Sequence, residues 1–166
     1  MTIDMPEQIK KALKVGDIAE YFIYLANRDN KAITNKKLQK LVYYAQAWSL
    51  VLNDKKLFNE PIEAWVHGPA VRSLYVQYKE CGFSPIQKSI DLNSIKVSKK
   101  TREFLDEIWR VYGKLDAGYL EMLTHSEEPW QMAREGLQMS EKSGNEISLK
   151  TMKSYYSEKL AKANKK

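Results

Sequence analysis

Hydrophobic residues recur at intervals of three and four over residues 33–52, and this stretch organises the chain. The recurrent positions are Leu38, Leu41, Val42, Ala45, Trp48, Val51 and Leu52, widened by Tyr43, Tyr44 and Ala47. Thr34 can cap the first turn, and Ile33 can pack on Leu38 as a hydrophobic staple. A helix that is apolar around so much of its circumference must be covered on several sides. The pattern therefore predicts a central, buried helix.

Six further stretches show helical spacing. They are residues 15–27, 69–81, 98–112, 116–124, 126–139 and 148 onwards, and three of them begin with a capping residue, Ser98, Asp116 or Ser148. Gly68-Pro69 is expected to open the second stretch, because proline costs nothing in a first helical turn. Gly82 supplies the left-handed stop of that helix.

Residues 57–67 change to a period of two, which is typical of a short strand with one buried face. Ile62, Ala64 and Val66 alternate there with Glu63, Trp65 and His67. In the irregular stretch 83–97, Ile90 with Leu92 and Ile95 with Val97 are candidates for extended segments that pair with this strand. The predicted fold is mainly α with a minor β part: a single compact helical domain around a central buried helix, with a small β element inserted after it.

Composition places the chain among ordinary globular proteins. It has 166 residues, of which 43% are hydrophobic and 29% charged, enough for a core without disulfides. No run approaches the ~18 consecutive apolar residues of a membrane span. The first residues carry acids and lack a signal-peptide pattern, and Cys81 is the only cysteine. These features fit a cytoplasmic protein without a membrane segment.

Most of the net charge of +6 comes from the end of the chain, where eight residues contain four lysines and no acid. Without those lysines, 23 basic residues face 21 acidic ones. We therefore predict a flexible N-terminal segment (residues 1–14), one helical domain (15–158) and a solvated, frayed basic tail (159–166). Charge alone gives little reason to expect nucleic-acid binding.

Candidate catalytic and metal-binding groups are few. His67, His125 and Cys81 could be imagined around zinc, but no C-x-x-C or H-E-x-x-H spacing supports such a site. Glu127 and Glu128 near His125 could form an acid–base set, although acids at that place more commonly stabilise a helix start. The chain has neither a G-x-S-x-G motif nor a glycine-rich phosphate loop. We expect no enzyme activity, no metal and no cofactor, and both histidines to be structural.

Ten tyrosines and four tryptophans are too many for one small core, so some should reach the surface. Surface aromatic residues suit protein contacts or stacking on single-stranded bases. No helix-turn-helix signature or other named DNA-binding motif appears. The residues alone thus indicate a binding domain whose partner stays open.

Several sequence blocks resemble a known family. They are Leu38-Gln39-Lys40-Leu41-Val42-Tyr43-Tyr44-Ala45-Gln46-Ala47-Trp48, Leu57-Phe58, Ile62-Glu63-Ala64-Trp65-Val66-His67-Gly68-Pro69, Leu74-Tyr75, Trp109 with Tyr112-Gly113-Lys114-Leu115, and Leu123-Thr124-His125 with Pro129-Trp130. Together they resemble the Panacea antitoxin domain, the SocA-like or GepA-like family of phage-associated and prophage-associated bacterial proteins. The motif positions are Lys40, Tyr43, Trp48, Trp65, His67, Gly68, Pro69, Thr124, His125, Pro129 and Trp130.

The resemblance implies an antitoxin of a toxin–antitoxin system, which neutralises a cognate toxin by direct protein–protein binding. One branch of the family also delivers its toxin to a protease. Many relatives carry an additional domain, sometimes DNA-binding, and this chain has no room for one, so DNA binding is expected to be weak or absent. The alternatives left open are a phage-associated nucleic-acid-binding regulator and, more remotely, a small metal-dependent hydrolase.

Three residues around the strand–helix junction are candidate anchors for the partner: Trp65, Arg72 and Tyr75. The competing interpretation is that Trp65 and His67 hold the junction together. Residues His125, Pro129 and Trp130 fit an architectural role better than a contact role. The chain departs from the family pattern at Ala70, Arg72, Asp116 and Gly118, which we expect to affect the choice of partner and to leave the fold unchanged.

Overall fold

The computed structural model describes residues 12–165, which form seven α-helices and one two-stranded antiparallel sheet. The helices are α1 (Val15–Arg28), α2 (Asn35–Leu52), α3 (Arg72–Gln77), α4 (Lys99–Tyr112), α5 (Ala117–His125), α6 (Glu128–Ala133) and α7 (Leu149–Asn164). The strands are β1 (Glu63–Trp65) and β2 (Gly68–Ala70), and short 3-10 turns lie at Lys79–Cys81 and Leu92–Ser94. The predicted fold class, mainly α with a minor β part, is confirmed.

Helix α2 is the central helix that the sequence predicts. The Thr34 hydroxyl caps it by accepting a hydrogen bond from the backbone N–H of Lys37 at 3.1 Å. Fourteen of its eighteen residues are buried, and so is Ile33 before the cap. Helices α1, α4, α5 and α7 and strand β2 all pack against it. Because neighbours cover most of its circumference, several of its polar side chains, such as Gln39, Lys40 and Gln46, lie in the interior.

The predicted caps of the outer helices are also confirmed. The side chains of Ser98, Asp116 and Ser148 each accept a hydrogen bond from a backbone N–H in the first turn of α4, α5 and α7. Each cap satisfies one of the donors that the start of a helix leaves without a partner. These three signals fix where each helix begins.

The prediction that Gly68-Pro69 opens a helix is wrong. These residues form β2, which pairs with β1 in the register Glu63 to Ala70 and Trp65 to Gly68, and α3 begins only at Arg72. Gly68 has a φ of +106°, which no helix start can use, and the Pro69 carbonyl accepts a hydrogen bond from the Lys40 amine. We call residues 63–70 the hairpin. The predicted alternation over residues 62–67 is only partial, since Glu63 is itself buried and Val66 is only partly buried.

The stretch 83–97 does not pair with β1. Residues 92–94 form a 3-10 turn, in which the Asp91 carboxylate accepts from the backbone N–H of Asn93 at 3.0 Å. Ile95 and Val97 are buried in the core as parts of an irregular segment. The second contact of β1 comes instead from a bridge between Glu63 and Glu146.

The last two helices differ from their predicted lengths. Helix α6 ends at Ala133, before the predicted Met139, because Arg134 turns back to donate to carbonyl groups of the following loop and Gly136 adopts a φ of +85°. Helix α7 continues to Asn164, through most of the segment predicted to fray, and the Lys159 amine contacts the buried Glu127 carboxylate at 2.8 Å. The N-terminal segment assigned to residues 1–14 falls mostly outside the described residues.

Candidate functional site

Three side chains at the end of β1 and in α3 form a small, partly exposed cluster. They are the three candidate anchors that the sequence predicts. The rings of Trp65 and Tyr75 meet edge to face, with centroids 5.0 Å apart. The guanidinium of Arg72 lies 5.2 Å from the centroid of the Trp65 ring, within the range of a cation–π contact. We call these three residues the hairpin patch. Whether it binds a partner stays a prediction.

The Glu63 carboxylate forms hydrogen bonds with two of the three side chains of the hairpin patch. It accepts from Arg72 Nε at 3.1 Å, from Arg72 Nη2 at 2.7 Å and from Trp65 Nε1 at 3.1 Å. The pKa of Glu63 lies below its ordinary value, chiefly because of the hydrogen bond from Arg72. One buried carboxylate thus fixes two of the three side chains of the patch.

Polar side chains of α2 hold the backbone beneath the patch. Gln39 Oε1 accepts from the backbone N–H of Val71 at 2.8 Å, and the Lys40 amine donates to the carbonyl of Pro69 at 3.0 Å. Asn35 donates to the carbonyl of Tyr75 at 3.1 Å. All three polar side chains are buried, so these bonds are shielded from water. They tie the hairpin and α3 to the most buried element of the fold.

Helix α6 supports the same hairpin from the other side. Trp130 Nε1 donates to the carbonyl of Trp65 at 2.8 Å, and Arg134 Nη1 donates to the carbonyl of Ala64 at 2.9 Å. The Arg134 guanidinium also lies 5.2 Å from the centroid of the Trp130 ring. Pro129 is buried in the first turn of α6. The hairpin is therefore held at its backbone from two directions.

Gly68 is where the hairpin approaches α2 most closely. A Cβ atom at this position would lie 2.6 Å from Lys40 Cε and 3.1 Å from the Thr124 hydroxyl oxygen. The Thr124 hydroxyl itself donates to the carbonyl of Glu121 one turn earlier in α5. Three of the family-like motif positions, Lys40, Gly68 and Thr124, thus meet at one packed contact.

The two histidines take different positions. His67, at the exposed hairpin turn, has Nδ1 3.4 Å from the Glu121 carboxylate, which also pairs with Lys36. His125 stacks on the Trp130 ring, with centroids 3.9 Å apart and an interplanar angle of 15°. Burial lowers the pKa of His125, which favours its neutral form near neutral pH. The geometry around His125 is that of a packed ring at the junction of α5 and α6.

Lys40 is an ionisable group enclosed almost completely by protein. Burial lowers its pKa to about 7, although the nearby Glu121 carboxylate acts in the opposite direction. The pKa of Glu121 is below its ordinary value, because Lys36 and His67 outweigh the effect of its own burial. A proton on Lys40 therefore costs the folded state free energy that it does not cost the unfolded chain.

The remaining motif positions belong to a separate internal network on the far side of α2. Tyr43 and Tyr156 share a hydrogen bond of 3.0 Å between their hydroxyls, and Trp48 Nε1 donates to the Tyr112 hydroxyl at 2.8 Å. At its centre, buried Glu127 accepts from the hydroxyls of Tyr44 and Tyr156. These aromatic residues hold helices together and do not line an exposed surface.

The candidate zinc ligands His67, His125 and Cys81 do not form a cluster. Between residues 12 and 165, no three histidine, cysteine, aspartate or glutamate side chains are grouped so that they could hold a metal ion. Cys81 is partly buried at the end of a 3-10 turn. Within the same residues, no helix combines the length and the apolar character that crossing a membrane requires.

Three residues that support the site, Asn35, Gln39 and Arg134, were missed from the sequence. Asn35 and Gln39 lie four residues apart on α2, and Gln39 Nε2 donates a hydrogen bond to Asn35 Oδ1 at 3.0 Å. Their spacing could have indicated that both bind neighbouring backbone groups, because a buried helix must have hydrogen-bond partners for its polar side chains. Arg134 gave no such signal, since its partner Ala64 lies 70 positions away in the sequence.

The structure defines a mainly helical domain that carries one small hairpin and presents an exposed, firmly held aromatic patch. Residues 38–131 match the family described as antitoxin SocA-like, Panacea domain. This match covers more than half of the chain, and the chain belongs to that family. The matched segment runs from the first turns of α2 into α6 and includes the whole hairpin patch. No curated protein and no solved structure matches the chain with significant similarity.

Proposed function

We propose that this protein is an antitoxin that neutralises a cognate toxin by binding it directly, without catalysis. Membership of the SocA-like Panacea family is the observation that carries the proposal. The family's antitoxin role makes a toxin the expected partner, and a toxin encoded beside this protein is the first candidate. We place the action in the cytoplasm.

The hairpin patch supports binding as the mode of action. Aromatic and arginine side chains supply most of the affinity at protein interfaces, and Trp65, Arg72 and Tyr75 combine these types on one surface. Bonds from α2 and α6 hold the backbone of the patch in place, so little conformational entropy has to be lost on binding. We infer that the toxin contacts this patch.

Co-expression with the product of the adjacent gene tests the proposal. The neighbour should arrest growth when produced alone and should become harmless beside this protein, and the two should copurify at a fixed ratio. Toxin abundance should stay constant during neutralisation if complex formation is the mechanism, whereas delivery to a protease would lower it. A neighbour that is harmless alone, or that stays toxic beside this protein, would contradict the proposed function.

Substituting the patch separates binding from folding. We expect Trp65→Ala to abolish neutralisation while the protein still unfolds in one cooperative transition, because the Trp65 side chain is only partly buried and lies outside the core. Val111→Ala on α4 is a matched control, since it truncates an exposed apolar side chain away from the patch. The control should neutralise as the wild type does.

A further inference from the structure

The guanidinium of Arg72 is fixed on one edge and open on the other. It has five N–H donors, and the bonds to Glu63 from Nε and Nη2 use two of them. Among the described residues, no hydrogen bond is formed by Arg72 Nη1. Because the Trp65 ring and Glu63 together hold the guanidinium plane, the open edge keeps a constant direction.

The two members of the Arg72–Glu63 ion pair differ in their exposure to solvent. The Arg72 side chain is 64% exposed, whereas the Glu63 side chain is 11% exposed. A partner that approaches the patch therefore meets the guanidinium first, and the carboxylate stays beneath it. The open pair of donors on Nη1 and Nη2 has the spacing of the two oxygens of a carboxylate.

We propose that Arg72 binds an aspartate or glutamate side chain of the toxin, and that an apolar residue next to that acid packs on Tyr75. This inference rests on the proposed function and names the chemistry of the partner at the same patch. A guanidinium that bridges two carboxylates, Glu63 of this chain and one of the toxin, makes two paired contacts. Tyr75 is 37% exposed and Val76 beside it is 63% exposed, which provides the apolar surface for the neighbouring residue.

The local charge favours a protein carboxylate over a nucleic-acid backbone. Between residues 63 and 77, Arg72 is the only lysine or arginine, and Glu63 already balances its charge. The loop segment 141–146, which bridges to Glu63, adds one lysine, Lys142, against two acids, Glu141 and Glu146. Nucleic acids are bound by several cations that neutralise successive phosphates. A single arginine that is fixed in direction suits one directional contact instead.

Binding of the adjacent-gene toxin to variants of Arg72 tests the inference. We expect Arg72→Ala and Arg72→Lys each to weaken binding by about tenfold or more, because an ammonium keeps the charge but lacks the planar pair of donors. Arg110→Ala is the matched control: Arg110 is 69% exposed and pairs with Glu107 on α4, away from the patch. The control should change affinity by less than about twofold.

A double-mutant cycle identifies the partner's acid. Each aspartate and glutamate of the toxin is changed to alanine, and affinity is measured with wild type and with Arg72→Ala. One acid should make the Arg72→Ala effect disappear, since the contact is then already lost. Wild-type affinity in Arg72→Lys, or a cycle in which no toxin acid couples to Arg72, would overturn the inference.

Failure of the two proposals can be told apart. If the wild type binds and neutralises the toxin and Arg72→Lys does so equally well, the arginine contact is wrong and the antitoxin function stands. If the wild type does not bind the toxin, both fail together. Binding of a fluorescent single-stranded oligonucleotide that Arg72→Ala abolishes would assign the patch to nucleic acid and overturn the inference as well.

Discussion

Two features of the structure favour glycine at position 68: its backbone conformation and the lack of space for a side chain. Its φ of +106° is a conformation that L side chains rarely adopt, and the position of its missing Cβ is filled by Lys40 Cε at 2.6 Å. Lys40 cannot withdraw easily, because its side chain is enclosed and its amine is bonded to Pro69. Both features originate in the contact between the hairpin and α2.

We expect Gly68→Ala to lower the free energy of unfolding by about 3 kcal/mol, from backbone strain and overpacking together. Gly136→Ala is the control, because Gly136 has a φ of +85° but no atom within 4 Å of its missing Cβ. It should cost only about 1 kcal/mol. Urea unfolding of both variants measures the difference, and equal losses would show that Lys40 yields to the added methyl group.

Lys40 makes stability depend on pH in a definite direction. Its pKa is about 7 in the folded protein and 10.5 as an ordinary lysine. Between these values the unfolded chain holds the proton and the folded protein does not, so the free energy of unfolding rises with pH. Below pH 7 both states carry the proton, and this contribution no longer changes.

We expect wild type to gain about 1 kcal/mol per pH unit relative to Lys40→Met between pH 7.5 and 9.5. The other titrating groups are common to both proteins, so the difference isolates Lys40. Lys31→Met, at an exposed turn position, serves as control and should follow the wild-type pH dependence. Parallel curves for wild type and Lys40→Met in urea unfolding would mean that Lys40 stays protonated when folded.

At the scale of elements, Glu127 links α2 and α7 to the junction of α5 and α6. It lies between α5 and α6, and it accepts from Tyr44 of α2 at 2.6 Å and from Tyr156 of α7 at 2.8 Å. Burial raises the pKa of Tyr44 and Tyr156 above their ordinary range, so both hydroxyls stay donors. Lys159 covers the carboxylate from the solvent side.

We expect Glu127→Ala to destabilise the protein by about 3 kcal/mol, because it leaves two buried hydroxyls without their acceptor. The adjacent Glu128→Ala, at an exposed position, should change stability by less than about 0.5 kcal/mol. Thermal unfolding followed by circular dichroism compares the two. A Glu127→Ala protein as stable as Glu128→Ala would show that water replaces the lost acceptor.

The elements that could be predicted are those whose signals are local. The α2 periodicity and the side-chain caps at Thr34, Ser98 and Ser148 involve residues within one or two turns, and the structure confirms them. The hairpin was missed at Gly68-Pro69 because its conformation is set by Lys40, 28 positions earlier in the chain. Likewise, Arg134 at the early end of α6 bonds to carbonyl groups of the following loop and to Ala64, which lies 70 positions away.

The same distinction holds for the candidate site. Trp65, Arg72 and Tyr75 lie close in the sequence, so a short turn between them was enough to bring them together. Their supports come from α2 and α6, and no local pattern connects Gln39 or Trp130 with the hairpin. That these three residues lie close together could thus be predicted, whereas what fixes them in place required the tertiary structure.

At the scale of the whole molecule, the segment that matches the family is shorter than the folded unit. The match ends at Gln131, but α7 lies beyond it and packs along α2. Met152 and Tyr156 of α7 are fully buried, and Tyr156 reaches Tyr43 and Glu127 in the interior. Helix α7 is therefore part of the core and cannot be treated as an appendage of the matched segment.

We expect a chain that ends at Ser148 to lose cooperative folding, because removing α7 exposes one side of α2 and uncovers Glu127. A chain that ends at Leu160 is the matched control: it retains Met152, Tyr156 and Lys159 and loses only residues at exposed positions among those described. The control should unfold cooperatively within about 1 kcal/mol of wild type and should neutralise the toxin. Because it also lacks the last three lysines, retained neutralisation would show that those lysines are dispensable for the toxin contact. A Ser148 form that circular dichroism and limited proteolysis show to be cooperative and protease-resistant would instead place the whole folding unit before α7.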